Sequence, residues 1–380
     1  MAVSVAEAVA VVVAAGEVAV LRAGRKANRR LLTVKIICLV VRGKITMTST
    51  TQEPIPAWRW NGYSFKAMNT KVQTWLYSQT DSEVLVDVQR LFNSIECRLS
   101  RFDPASELSQ LNASTQEAFQ ASPTLLDALE VALWAAEATG GLYDPTILKS
   151  LEKAGYDRSF DRLETATPYQ FSNPVATKPN GHSRTSVFNF RSVQLNRAKR
   201  EIYKPIGVRL DLGGMGKGWT VDRAADRLQG LGPFLVNAGG DVFAYQSPPG
   251  QKGWAIDLIH PRQPEQFMAR LYLHHHALAT STTAKRRWQY RGQTMHHLID
   301  PRTGQPAQTD ALSVTVVADR TVTAEIYAKV VLILGAAPGL AYLQNLPGIE
   351  GLIYTANSEI LYTTGLAELL ERVEPSGYVN

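Results

Sequence analysis

Residues 211–218, which read Asp-Leu-Gly-Gly-Met-Gly-Lys-Gly, constrain the fold of this chain more than any other segment. Four glycines within six positions let the backbone turn tightly and approach a ligand closely, and the helix predicted after them presents its N-terminal amides to an anion. The segment is not a P-loop, because Gly218 follows Lys217 where a P-loop has Ser or Thr, and its glycine spacing differs from a dinucleotide fingerprint. It predicts either an anion-binding loop of another kind or a tight structural turn.

Apolar periodicity predicts strands and helices that mix along the chain without regular alternation. The predicted strands are residues 65–76, 193–195, 201–203, 234–236, 255–259, 271–274, 312–317 and 351–354. The predicted helices are residues 81–99, 123–139, 219–228 and 324–334. This order indicates an α+β fold with mixed or antiparallel sheets and flanking helices rather than a doubly wound sheet.

The basic charge of the chain is confined to its first residues. Residues 1–46 contain eight Lys and Arg against two Glu, which accounts for the whole net charge of +6. The rest of the chain therefore carries equal numbers of acidic and basic side chains. Because the body has no basic excess, we expect no binding to nucleic acid.

The sequence predicts one domain behind a tail. We interpret residues 1–56 as a basic tail, either disordered or produced by a mis-set translation start, with a weak membrane anchor, a transit peptide or a folded element as alternatives. Residues 57–380 form the predicted domain, with a loop insertion at 161–190 that is rich in Asn, Pro, Ser and Thr. Charges interrupt the apolar runs of the tail, and no clear signal peptide or lipoprotein box is present. A cytoplasmic or membrane-associated location is therefore favoured over secretion.

Three further segments carry residue types that suit chemistry. A second glycine turn at residues 237–241 follows a predicted strand. Residues 297–304 combine a His, an Asp and an Arg around a Pro/Gly turn, which could put a base and a cation beside an anionic ligand or form a plain β-turn. Asp144 follows a helix stop and would either meet a ligand or cap the next element. Two cysteines and the lack of an HExxH spacing exclude a disulfide framework and disfavour a zinc hydrolase.

Taken in order, seven segments resemble motifs of the ApbE family of FAD:protein FMN transferases. They are residues 66–70, 99–112, 141–146, 211–218, 237–241, 280–282 and 297–304. The glycine segment is similar to the family's D-L-G-G-x-x-K-G loop, and residues 297–304 resemble H-I-I-D-P-x-T-G almost letter for letter. The resemblance spans about residues 64–365 and implies a two-lobed α+β fold that holds FAD between its lobes.

The resemblance also implies a reaction and a set of site residues. The hydroxyl of a Thr or Ser on a partner protein, such as an electron-transport subunit, would attack the FMN-side phosphorus of FAD, so that AMP leaves and FMN stays attached. His297 would be the general base, and Asp211 would be the second catalytic residue. The residues implied to line the flavin or adenine are Met68, Phe102, Leu142, Tyr143, Asp144, Asp211, Lys217 and Leu298.

The metal motif of this chain departs from the family pattern. The family uses Mg²⁺ on the pyrophosphate, and the matching positions are the carbonyl of Gly214 and the carboxylate of Glu325. The family's A-D-x-x-[AD]-T helix motif reads Ala-Glu-Ile-Tyr-Ala-Lys at residues 324–329, so Lys329 stands where a Thr ligand is implied. Because Mg²⁺ requires oxygen ligands, an ammonium there would repel the ion. Either the metal site is rearranged, or Lys329 supplies a positive charge in place of part of the metal, or activity is lost.

Three alternatives to a flavin transferase follow from these observations. The first is a flavin-binding protein of the same fold with lost or weakened transferase activity. The second is a Mg-dependent FAD pyrophosphatase, which would release free FMN and AMP. The third is a membrane-surface adaptor that acts through the basic tail.

Overall fold

The computed structural model of this protein describes residues 57–163, 189–290 and 292–373. Within these ranges the α-helices are α1 (Glu83–Leu99), α2 (Glu107–Ala113), α3 (Pro123–Ala138), α4 (Leu148–Lys153), α5 (Gly216–Leu228), α6 (Thr321–Leu334) and α7 (Ala336–Gln344). The strands are β1 (Arg59–Ala67), β2 (Thr70–Ser78), β3 (Ala118–Gln120), β4 (Gln194–Asn196), β5 (Glu201–Tyr203), β6 (Phe234–Ala238), β7 (Asp241–Tyr245), β8 (Trp254–Ile259), β9 (Phe267–Leu273), β10 (His276–Thr282), β11 (Arg287–Tyr290), β12 (Gln293–His296), β13 (Ile299–Asp300), β14 (Gln305–Pro306), β15 (Ala311–Ala318), β16 (Glu350–Thr355), β17 (Ile360–Tyr362) and β18 (Leu370–Val373). The predicted tail at 1–56 and most of the predicted insertion at 161–190 lie outside the described residues. No helix in the described ranges has the length and apolar character needed to span a bilayer.

An antiparallel sheet of eight strands forms the centre of the first lobe. Its order is β1-β2-β6-β7-β10-β15-β16-β17. Phe234 and Val236 of β6 pack with α1 and α5 on one face, whereas Leu235 packs with the small sheet β18-β9-β8 on the other. Successive strand residues point to opposite faces, so this lobe is three layers deep. The prediction of an α+β fold with antiparallel sheets and flanking helices is confirmed.

Helix α6 is buried on two sides. Val331 packs against Val314 and Val316 of the main sheet, whereas Ile326 and Val330 belong to the core of the second lobe. This double burial explains why the helix is apolar almost all round. It also holds the polar residues of α6 at the boundary between the lobes.

The second lobe consists of α2, α3, α4 and the small sheet β3-β5-β4. Leu125 and Leu129 of α3 share a buried cluster with Leu212 of the glycine segment. Helix α3 begins as predicted, with Pro123 in its first turn and the Ser122 hydroxyl accepting the Leu125 N–H. The apolar face of α3 thereby supports the residues that enter the glycine segment.

The single strand predicted at residues 65–76 is wrong, because the chain forms a hairpin of β1 and β2 there. Met68 and Asn69 make the two-residue connection, with φ angles of 51° and 53°, and Ala67 pairs with Thr70. Two positive φ angles match the twist of a tight hairpin, and Asn tolerates that region better than most residues. The turn brings Met68 to the boundary between the lobes.

Candidate active site

A cavity of about 390 Å³, which we call the first cavity, opens between the two lobes. Residues from separate parts of the chain meet on its wall. The predicted site residues that line it are Met68, Phe102, Leu142, Tyr143, Asp144, Asp211, Gly214, Lys217, His297 and Leu298. Glu325 is the predicted site residue that does not line this cavity; it lines the second cavity instead. A cavity of this size, with apolar walls and a few convergent polar groups, is typical of a small-molecule site.

A buried ion pair stands on the wall of the first cavity. Nε of Arg101 lies 2.8 Å from Oδ1 of Asp211, and the two side chains are 6% and 9% exposed. Burial raises the pKa of Asp211, while the charge of Arg101 opposes that rise. The guanidinium also lies 4.0 Å over the Phe102 ring and donates through Nη1 to the carbonyl of Tyr156. Its Nη2 has no partner among the described residues, so it can donate to a ligand.

Tyr143 and Asp144 are adjacent on the wall but differ in their hydrogen bonds. Oδ1 of Asp144 accepts both the N–H and the hydroxyl of Thr146 at 2.7 Å, which fits the alternative that Asp144 caps the following turn. The Tyr143 hydroxyl is buried without a partner in the described part of the chain, and burial raises its pKa well above the usual value. The Tyr143 hydroxyl and the unpaired nitrogens of Arg101 and His297 together indicate that a polar ligand binds in this region.

A second cavity of about 580 Å³ adjoins the first. Five residues line both cavities: Gly213, Lys217, Arg286, His297 and Lys329. We call these five residues the junction. Three of them are cationic and one is a histidine, so an anionic group at the junction would be reachable from both sides.

The two histidines at 296 and 297 have different surroundings. Nε2 of His296 lies 3.0 Å from the Ala307 carbonyl, and its Nδ1 accepts the Leu298 N–H at 3.3 Å. Nδ1 of His297 is buried with no partner among the described residues. Burial, reinforced by the charge of Arg286, lowers the pKa of His297 well below its ordinary value. The imidazole is therefore neutral at pH 7 and can accept a proton, but the same lowering of its pKa makes it a weaker base than an exposed histidine.

Lys217 is held by carboxylates rather than free in the cavity. Its Nζ donates to Oε1 of Glu325 at 2.8 Å and also pairs with Asp241. Burial opposes the charge of Lys217, but the two carboxylates outweigh this effect and raise its pKa. Lys217 thereby links α5 to β7 and α6, and a direct contact with flavin stays a prediction.

The predicted magnesium ligands do not fit the ion in this arrangement. Oε1 of Glu325 accepts from Lys217 and from Nζ of Lys329 at 3.2 Å, and Oε2 accepts the Gly218 N–H at 2.8 Å. Burial alone would raise the pKa of Glu325, but the two ammonium groups lower it to about 2. Within the described ranges, no cluster of three or more His, Cys, Asp or Glu could hold a metal ion. Mg²⁺ needs an octahedron of oxygens, so the pairing of Gly214 with Glu325 as ligands is not supported.

The glycines of residues 211–218 serve two purposes. Gly214 lines the first cavity, as a ligand-binding loop would. Gly218 instead allows α5 to touch the start of α6, since a Cβ there would lie 2.7 Å from the carbonyl oxygen of Thr321 and 2.9 Å from the nitrogen of Val322. Part of the segment therefore serves the packing of two helices, a role that differs from both the anion-binding loop and the tight turn that the sequence left open.

Several wall residues were missed from the sequence, among them Arg101, Tyr156 and Arg286. Arg101 lies within the recognised segment 99–112 beside Phe102, and an arginine next to an aromatic residue after a helix was the available signal. The backbone of Arg286 is in the left-handed region, with a φ of 51°. By sequence alone, an arginine in a run of basic residues cannot be distinguished from part of a charged surface turn.

The fold and the joined cavities define a two-lobed α+β protein with a ligand site between its lobes. The family model described as the ApbE family matches residues 68–353, and the chain belongs to that family. A FAD:protein FMN transferase of Treponema pallidum is 28% identical, over 75% of this chain and 80% of that relative. The solved ApbE protein of Thermotoga maritima superposes with a TM-score of 0.72 at 23% identity, over 83% of this chain and all of that one. The flavin transferase ApbE of Vibrio cholerae gives a TM-score of 0.67 at 22% identity, with the same coverage.

Proposed function

We propose that this chain is a FAD:protein FMN transferase, which moves FMN from FAD to a hydroxyl of a partner protein. Its family and the name of its Treponema pallidum relative support this function. The observation that carries it is the junction, where a neutral histidine and three cationic side chains lie between two cavities. One cavity can hold the donor while the other admits the acceptor.

The first cavity is the proposed site for FAD. Nη2 of Arg101 and the hydroxyl of Tyr143 are the unpaired polar atoms available to a ring edge. The side chains that supply apolar surface are Met68, Phe102, Leu142 and Leu298. Such a wall suits a long ligand with a ring system at each end and a charged centre.

The proposed transfer is one substitution at phosphorus. The acceptor hydroxyl oxygen forms a bond to the FMN-side phosphorus as the bond between that phosphorus and the bridging oxygen breaks. AMP leaves with the bridging oxygen, and the hydroxyl proton goes to Nδ1 of His297. Positioning and charge stabilisation dominate such reactions, which is what the cations Arg286 and Lys329 beside His297 supply.

The second cavity is the proposed route of the acceptor. Its wall includes the hydroxyl residues Thr280, Ser281, Ser313 and Thr315. One side is formed by β8, the outer strand of the sheet β18-β9-β8, so an extended segment could lie along it. We propose a Thr or Ser of an electron-transport subunit as the acceptor.

A flavin-binding protein with lost transferase activity is the second candidate. It is favoured by one observation, the saturation of Glu325 by three N–H donors, which leaves that carboxylate unable to hold the Mg²⁺ that the resemblance implies. We assign no step of the proposed transfer to a metal ion.

Separation of the products of FAD distinguishes these functions. The purified protein is incubated with FAD, with or without the acceptor protein of the Vibrio cholerae relative. The Vibrio cholerae transferase, incubated with the same FAD and acceptor, serves as the positive control. A transferase forms AMP only when the acceptor is present, and in equal amount to flavinylated acceptor. Free FMN and AMP without acceptor would identify a pyrophosphatase, and intact bound FAD would identify a binding protein.

A further inference from the structure

The side chain of Lys329 fills the space between Gly214 and Glu325. Its Cδ and Cε each lie 3.7 Å from the position of a Cβ on Gly214, and its Nζ lies 3.2 Å from Oε1 of Glu325. Gly214 and Glu325 are the two residues to which the family resemblance assigns the metal ion. The lysine therefore stands between the groups that would otherwise share a divalent cation.

The position of this lysine is fixed by the fold. Lys329 follows Glu325 by one turn of α6, and the two side chains are 15% and 2% exposed. Because α6 is buried against both lobes, neither side chain can swing far into solvent. The arrangement is built into the helix rather than being a chance contact of surface charges.

One donor direction of Lys329 is left for a ligand. An ammonium group has three N–H donors. In the described residues, Nζ contacts the carboxylate and the main-chain carbonyl of Glu325, at 3.2 and 3.3 Å. Lys329 also lines both cavities, so the third direction is available to an anion at the junction.

Charge decides between the lysine and a divalent ion. An Mg²⁺ ion would meet two ammonium groups around Glu325, and neither can ligate it. A pyrophosphate, in contrast, gains a positive charge that needs no coordination shell. The same side chain therefore disfavours the metal and favours the anion.

We propose that Lys329 takes the place of the divalent cation in this chain and binds the pyrophosphate of FAD without metal. The inference rests on the proposed function, because it needs FAD to bind in the first cavity. It predicts that FAD affinity does not depend on Mg²⁺.

Equilibrium titration of the purified chain with FAD tests the proposal directly. Flavin fluorescence is measured once in Mg²⁺ and once in EDTA, and the dissociation constants are expected to agree within about two-fold. A loss of affinity of about ten-fold or more in EDTA would overturn the lysine proposal alone. Absence of FAD binding in both conditions would overturn the lysine proposal and the proposed function together.

Two variants locate the effect. Lys329→Thr should weaken FAD binding in EDTA about 10–100-fold, as expected for loss of a charge-assisted hydrogen bond. Glu325→Asp with Lys329→Thr should make FAD binding depend on Mg²⁺. Lys199→Thr removes the same charge from the exposed turn between β4 and β5 and should change nothing. Equal FAD affinity of Lys329→Thr and Lys199→Thr would contradict the proposal.

Metal binding by the unaltered chain gives a readout that needs no variant. Mn²⁺ is titrated into the protein with FAD, and bound ion is followed by electron paramagnetic resonance. We expect no more bound Mn²⁺ than FAD alone retains in solution. One tightly held Mn²⁺ per chain would show that the lysine does not replace the cation.

Discussion

Charge at the junction is decided side chain by side chain. Lys217 pairs with both Asp241 and Glu325, whereas Lys329 pairs with Glu325 alone and keeps one donor direction open to the junction. Arg286 also lines both cavities and forms no ion pair in the described part of the chain, so it adds a second cation that an anion at the junction could meet. The loss of either cation should therefore weaken the binding of an anionic ligand.

Replacing His297 tests the base in the proposed transfer. We expect His297→Ala to lower the rate of FMN transfer about 10²–10⁴-fold, the usual contribution of a general base. FAD affinity should change by no more than a few-fold, because the imidazole is proposed to take the proton of the acceptor hydroxyl and not to bind FAD. Transfer and binding are measured on the same preparation. A variant that transfers at the unaltered rate would make His297 structural.

Replacing Asp211 tests the buried ion pair with Arg101. Asp211→Asn leaves a buried guanidinium without its counter-charge, so we expect it to lower the free energy of unfolding by about 3 kcal/mol and also to weaken FAD binding. Adding Arg101→Gln should restore part of the stability but not the FAD affinity. Denaturant unfolding and FAD titration of the single and double variants separate the two effects. Lower stability with unchanged FAD affinity would make the pair purely structural.

The pH dependence of stability should report His296. Burial lowers the pKa of His296 to about 4, below its value in the unfolded chain. The unfolded chain then binds the proton more readily than the folded chain. The stabilisation that comes from burying neutral His296 is therefore complete above about pH 6.5 and is lost as the pH falls toward 4. We expect the difference between the unaltered chain and His296→Gln to change by about 3 kcal/mol over that interval. Parallel unfolding profiles of the two proteins would contradict this assignment.

At the scale of elements, the contact between α5 and α6 holds the junction together. A Cβ on Gly218 would meet the backbone of α6, whereas a Cβ on Gly216 has no atom within 4 Å. We therefore expect Gly218→Ala to lower stability by about 1–3 kcal/mol and to weaken FAD binding by shifting Lys217. Gly216→Ala should be neutral or slightly stabilising, because Ala favours a helix. Similar melting temperatures for the two variants would refute the packing role of Gly218.

The sequence predicted elements whose signals are local and missed those that depend on distant partners. Helix α3 followed from its cap and its proline. Helix α6 begins at Thr321, three residues before its predicted start, because Asp222 of α5 accepts the N–H groups of Thr321 and Val322 at 2.7 and 3.0 Å. Ten residues of the first cavity could be predicted through family motifs. Their ion pairs could not, because Arg101 and Asp211 meet only in the folded chain.

At the scale of the whole molecule, the first cavity draws residues from both lobes. Met68 lies in the turn between β1 and β2 of the first lobe, whereas Leu142 and Tyr143 belong to the core of the second lobe. We expect FAD to bind more tightly than FMN or riboflavin and to raise the melting temperature most, because only the dinucleotide can contact both ends of the cavity. Calorimetric titration with the three flavins measures this preference. Equal affinities would contradict a two-ended site.

The intact mass of an acceptor protein after reaction tests the central claim most directly. The chain is incubated with FAD and the acceptor of the Vibrio cholerae relative, and in parallel with the same acceptor in which the flavinylated Thr or Ser is replaced by Ala. The account predicts that the unaltered acceptor gains the mass of one FMN phosphoester while the Ala variant gains none. An acceptor whose mass does not change, under conditions in which the relative modifies it, would contradict the account.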